Sequence, residues 1–119
     1  MIKRISRGWT SPDNADEYER LLNTTIVPGI TARRIAGHRG TEILRERDAD
    51  GTEVQFVTIM TFDSWDAVRE FAGGDGRGSV VPPQARALLS RFDEHSAHFD
   101  VSGSHRAARI DPGEKETTH

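Results

Sequence analysis

The 119-residue chain contains no cysteine. That excludes disulfides, thiolate nucleophiles and thiolate metal sites. There is also no excess of basic charge. Sixteen Lys and Arg stand against 19 Asp and Glu, a net charge of −3 at pH 7, which gives no electrostatic footprint for a nucleic-acid partner. No stretch approaches the roughly 18 apolar residues of a membrane-spanning helix. The opening segment, MIKRISRGW, has no apolar run of the signal-peptide kind. The expectation is a soluble cytoplasmic protein with neither a nucleic-acid nor a membrane partner. Mean hydropathy is −0.62, polar for a globular domain, and part of that polarity sits in the C-terminal tail. The length fits a single domain with a modest core.

The richest segment is Thr52 to Gly74, TEVQFVTIMTFDSWDAVREFAGG. It reads as a long strand running into a short amphipathic helix. Val54, Phe56, Met60 and Phe62 share one face of the strand, and Val57 and Ile59 share the other. A strand with one wet face alternates apolar with polar residues, so this one is expected to be covered on both sides. Asp63 or Ser64 caps the helix, whose buried stripe is Ala67, Val68, Phe71 and Ala72.

Around this unit, Ile2 to Trp9 reads as a first strand. Ser11 or Asp13 caps a helix with Pro12 in its first turn and a stripe of Tyr18, Leu21 and Leu22. Val27-Pro28-Gly29 is expected to end that helix or kink its last turn. Ile30 to Arg39 reads as a connection with a turn at Gly37. Gly40 to Arg47 reads as the second strand, followed by a hairpin loop at Asp48 to Gly51. Gly73 to Gly78, GGDGRG, breaks regular structure. It does not join a strand to a helix N-terminus, so it lacks the context of a phosphate-binding loop. Its two readings are a flap over a pocket and a tolerated surface loop. Pro82 to Phe92 fits one or two helical turns with Leu88, Leu89 and Phe92 turned inward, and Glu94 to Val101 alternates as a fourth strand.

The order is β-α-β-β-α-β, an α+β ferredoxin-like domain over residues 1–102 with a four-stranded antiparallel sheet. Residues 103–119 are polar and aperiodic and are expected to form a disordered tail. Two helices cover one sheet face. The double-sided third strand calls for a cover on the other, and the simplest is a second copy about a two-fold axis, a homodimer.

Four pieces then carry a resemblance: MIKRISRGW; VPGI followed by AGHRG; FVTIMTFDSWDAVREFAG; and VVPPQARALLSRFDEHSAHFDV. Together they resemble the antibiotic biosynthesis monooxygenase-like family of dimeric α+β barrels. The resemblance implies a cofactor-independent monooxygenase acting on a small aromatic or polyketide-like substrate. Such an enzyme needs a dry aromatic pocket, a base, and donors that steady the substrate anion. Haem-degrading relatives carry an Asn on the first strand, a Trp on the second helix and a His after it. This chain has no Asn on the first strand, Phe71 in the Trp position, and no His between Gly73 and Pro83, so no haem is expected.

Within that frame His98 is the candidate base, with an unperturbed pKa near ~6.5. It is placed opposite Phe99 on the fourth strand, in the dimer barrel or at its rim, with Ser96 and Asp100 beside it. A structural histidine at the subunit interface is the other reading. Arg4 and Arg7 lie on opposite faces of the first strand, so one of them can enter the barrel, and Arg7 is the candidate anion stabiliser. Trp9, Phe56, Met60, Trp65 and Phe71 are the candidate substrate-binding groups. His95 and His98 point opposite ways on a strand, so no metal pair is expected. The alternative function is a non-catalytic or small-ligand-binding dimeric barrel protein. A cavity between the second helix and the sheet holding a buried His or Arg favours an enzyme; a cleft closed by Trp65, Phe71 and Leu88 favours the alternative.

Overall fold

The computed structural model describes residues 1–113. Its centre is β1 (Ile2–Thr10), paired along its whole length with β3 (Val54–Phe62), from Ile2 opposite Phe62 to Thr10 opposite Val54. The second edge of β3 carries β2 (His38–Arg45). The second edge of β1 is shared by two short strands. β4 (Leu89–Phe92) pairs with Gly8 to Thr10, and β5 (Ala97–Asp100) pairs with Ile2 to Ile5. All pairings are antiparallel, in the order β2-β3-β1-β4, with β5 beside β4 on the same edge. This is the expected α+β ferredoxin-like sheet with its last strand broken in two.

The break explains one departure from expectation. Leu88, Leu89 and Phe92 have helical spacing, yet helix α4 spans only Pro83–Leu88 and the chain is extended from Leu89. The free backbone groups of β1 at Gly8 to Thr10 compete with a helix for the same segment, and pairing satisfies both partners. Gly8 lets that strand approach: a Cβ there would lie 3.1 Å from Leu89 Cδ2. Between β4 and β5 the chain bulges, and Ser96 turns inward so that its hydroxyl lies 2.6 Å from that of Ser6.

The first helix also runs further than expected. α1 (Pro12–Leu21) is capped by Ser11, whose hydroxyl accepts the Asn14 N–H at 3.2 Å. It does not stop at Val27-Pro28-Gly29. It widens into a π-helical turn at Leu22–Ile26 and continues as α2 (Val27–Ala32). Pro28 has no N–H to give the Thr24 carbonyl, and the Val27 N–H reaches five residues back to Leu22. The Asn23 and Thr24 side chains donate to the Glu19 and Arg20 carbonyls. β2 then starts at His38, after a turn at Gly37, which has φ +89° as its position requires. α3 (Trp65–Ala72) is capped by Ser64 and buries Ala67, Val68 and Phe71 as its spacing predicts.

All helices lie on one sheet face. The core beneath them has two halves. Ala15, Tyr18, Leu22, Val54, Phe56 and Ala85 form one, under α1 and α4. Ile35, Met60, Phe62, Ala67, Val68 and Phe71 form the other, under α3. On the opposite face stand Ile5, Val57 and Ile59, half-buried, with Leu44 and Phe99 exposed. Residues 103–113 carry no helix or strand and are exposed throughout. The rest of the expected tail, including His119, lies outside the described residues. No helix among the described residues is long and apolar enough to cross a membrane.

Phe62 is fully buried at the centre of the α3 half. Phe62→Ala is expected to lower the unfolding free energy by about 3–5 kcal/mol, read from urea denaturation. A loss below about 1 kcal/mol would contradict this packing.

Candidate functional site

A cavity of about 80 Å³ lies where the two core halves meet. One water needs about 10–15 Å³ on a comparable scale, so the space suits a small planar molecule or a few waters. Tyr18, Leu22, Phe56 and Ala85 line it from the first half, and Met60 and Phe71 from the second. Ile26, Val27 and Ile30, set inward by the π turn, close it from above, and Ser79 to Pro82 form its rim. Thr58 breaks the apolar run of the inward face of β3, and Ser6 stands opposite it on β1; both line the cavity.

One charge enters this space. Arg4 projects from β1 to the helix side and is 1% exposed. Its Nη1 donates to the Gly76 carbonyl at 2.6 Å, its Nη2 to the Gly78 carbonyl at 2.7 Å, and its Cζ lies 5.3 Å from the centre of the Phe71 ring. None of these partners is anionic. Burial lowers its pKa to about 10, so it stays charged at neutral pH. A buried cation without a carboxylate is costly, and this one is steadied by carbonyl dipoles and a ring face.

The remaining partner is His98. β5 places it directly across from Arg4 in the strand pairing, with Nε2 3.0 Å from Arg4 Nη1. A guanidinium only donates. Nε2 must therefore accept, which fixes the imidazole as neutral with its proton on Nδ1. Burial lowers the His98 pKa, and the charges of Arg4 and Arg77 lower it further. Trp65 packs edge-on against its ring, with centroids 4.7 Å apart.

The glycine run is consequently pinned. Arg4 holds Gly76 and Gly78, the Ser79 N–H donates to the Glu94 carbonyl and the Ser96 N–H to Arg77. Gly76 has φ +88°, and a Cβ there would meet Trp65 at 3.1 Å. That position demands glycine on both counts.

The residues singled out by sequence divide sharply. Phe56, Met60 and Phe71 line the cavity. Trp65 faces a shallow surface depression with Arg69, Asp75 and Arg77 instead. Trp9 is on the open sheet face, with the Arg91 guanidinium 3.8 Å from its ring centre. Arg7 touches the cavity rim, but its guanidinium is half-exposed and paired with Asp93 at 2.9 Å. The buried cation is Arg4, because the helices cover the face to which the even-numbered residues of β1 point. His98 shares that face and is therefore not in the interior of a sheet-to-sheet barrel. It does not line the cavity, and no histidine does so among the described residues. The cavity sits mainly beneath α1, the π turn and α2; α3 supplies only its Phe71 end. Among the described residues no three His, Asp or Glu side chains gather as a metal-ligand set.

Because the His98 pKa is lowered on folding, the unfolded chain binds the proton more readily. Stability from this group is full above its unfolded pKa, near ~6.5, and is lost as pH falls below it toward the folded value. Wild type is expected to lose stability between about pH 7 and 5 more steeply than His98→Gln, which keeps an acceptor for Arg4 but cannot titrate. Parallel pH profiles in thermal unfolding would contradict the Arg4–His98 contact.

No protein-family model matches the chain, nor does any curated protein by sequence. Solved structures do match in shape. A point variant of SnoaB, a cofactor-independent oxygenase from Streptomyces nogalater, aligns over 87% of this chain and 94% of its own, with 21% identity and a TM-score of 0.59. A candidate antibiotic biosynthesis monooxygenase from Bacillus cereus aligns over 91% and 96%, with 14% identity and a TM-score of 0.57. A second SnoaB structure aligns over 93% and 96%, with 23% identity and a TM-score of 0.51. The chain therefore has the fold of the antibiotic biosynthesis monooxygenase-like proteins across nearly its whole length, as its sequence pieces predict.

Proposed function

We propose that this protein is a cofactor-independent monooxygenase that acts on a small aromatic or polyketide-like molecule held in the cavity. The observation that carries the reading is the apolar cavity with one buried cation, Arg4, set in a fold shared with a cofactor-independent oxygenase. Trp65 and Leu88 do not line this cavity, which lies mainly beneath α1 and α2 and not between α3 and the sheet, where the sequence places the cleft.

The chemistry suits an activated methylene between electron-rich rings. Loss of one proton gives an anion, and Arg4 steadies it in a site of low polarity. The anion reduces dioxygen and forms a carbon–oxygen bond. Cleavage of the O–O bond leaves a carbonyl on the substrate and releases the second oxygen as water with the two methylene hydrogens. No external reductant enters this balance. His98 acts through Arg4 in this scheme, since its accepting nitrogen is already engaged, and the proton leaves with solvent.

We further propose that the working form is a cytoplasmic homodimer. The support for the dimer is the open sheet face, where Leu44 and Phe99 are exposed beside half-buried Ile5, Val57 and Ile59. Light scattering at micromolar concentration is expected to give the mass of two 13.2 kDa chains; a single-chain mass would remove this part of the proposal.

Oxygen uptake with a panel of anthrones and quinols tests the activity. The expected result is uptake equimolar with substrate, unchanged by chelator and by added flavin. Arg4→Lys keeps the charge but loses the fork, and is expected to lower kcat/KM at least about tenfold, about 1.4 kcal/mol in the barrier. No uptake above the buffer rate with any panel member would refute the oxygenase reading.

A further inference from the structure

A guanidinium has five N–H groups. Nη1 uses both of its own on the Gly76 carbonyl and His98 Nε2, and Nη2 uses one on the Gly78 carbonyl. The Nε–H and one Nη2–H remain, on neighbouring nitrogens of a planar group. Arg4 lines the cavity. Spare donors of this side chain can therefore serve a ligand held there.

We infer that the cavity is an anion-selective aromatic site, built for a planar ligand carrying a carboxylate that takes the spare donors of Arg4. Adjacent N–H groups on a guanidinium match the two oxygens of a carboxylate in spacing and plane. The rest of the wall fits a ring system: Phe56, Met60, Phe71, Leu22 and Ile26 offer flat or flexible apolar contact. Among the described residues the only carboxylate on the lining is Asp93, and it is engaged with Arg7 at the rim. The ligand's own carboxylate thus supplies the counter-charge that Arg4 lacks in its protein surroundings. Arg4 also holds the Gly76 and Gly78 carbonyls, so an acid bound to it is seated on a fixed fork and not on a mobile side chain.

This inference names the ligand class for the cavity on which the oxygenase reading rests, but its test reads binding and not turnover. The probes are 2-naphthoate and its neutral isostere 2-naphthamide, titrated calorimetrically into the full chain at neutral pH. The expected result is that naphthoate binds at least about tenfold more tightly than the amide, and that Arg4→Met loses this preference. Because Arg4→Met also unpins the glycine run, a second measurement uses wild type alone. The pKa of bound 2-naphthol is read by its absorbance. An apolar cavity without an available cation raises a phenol's pKa. A cation with free donors lowers it, and a lowered value is expected. Equal or weaker binding of naphthoate, a raised naphthol pKa, or no binding of either naphthalene probe at millimolar concentration would overturn the inference. If naphthoate is preferred while no panel substrate consumes oxygen, the anion site stands and the oxygenase reading falls.

Discussion

The structure depends on a buried guanidinium that has no carboxylate partner among the described residues. Arg4 could not sit at 1% exposure unless other groups met its charge. Two glycine carbonyls, a neutral histidine nitrogen and the face of Phe71 do so. Each of these constrains something else. The carbonyls fix the path of the glycine run, the histidine fixes its tautomer and the register of β5, and Phe71 fixes the end of α3. A single side chain thus ties the central strand, the last strand and α3 to one point. It leaves that point short of negative charge.

The cavity next to it follows from the helix that covers it. A regular helix through Leu22 to Ala32 would present a different set of side chains to the sheet. Pro28 cannot bond backwards, the turn before it widens, and Ile26, Val27 and Ile30 reach the cavity from above. π-helical turns of this kind recur at functional sites. Here the turn sits over the gap between two core halves that do not merge. The gap is apolar except where Arg4, Tyr18 and a few hydroxyls enter it. Tyr18, with its pKa pushed up to about 12 by burial, remains a neutral donor at any physiological pH.

Much of this architecture is legible in the sequence, and the limits have physical reasons. The unit from Val54 to Ala72 is plain because its apolar period changes from two to 3.6 at a Ser64 cap. The parity of β1 shows that Arg4 and Arg7 part company, but it does not show which of them goes inside. That is decided by which face the helices cover. The signal that could have found it is small: Gly8 and Thr10 share Arg4's parity, and both are small enough to pack beneath helices, whereas Trp9 shares parity with Arg7. His98 belongs with Arg4 only because β5 pairs with β1 in one register, which spacing along the chain cannot reveal. Leu89 to Phe92 has helical spacing, yet the free edge of β1 draws it into the sheet. Trp65 satisfies every local rule for a pocket residue, but α3 turns it toward His98 and the glycine run.

The central claim is that the cavity beside Arg4 is where this protein holds an aromatic ligand. A crystal structure with 6-bromo-2-naphthoate tests it most directly, because bromine marks its own position by anomalous scattering. The account predicts a bromine peak between Phe56, Met60 and Phe71 with the carboxylate on Arg4. A peak only on the open sheet face or in the depression beside Trp65 would contradict it.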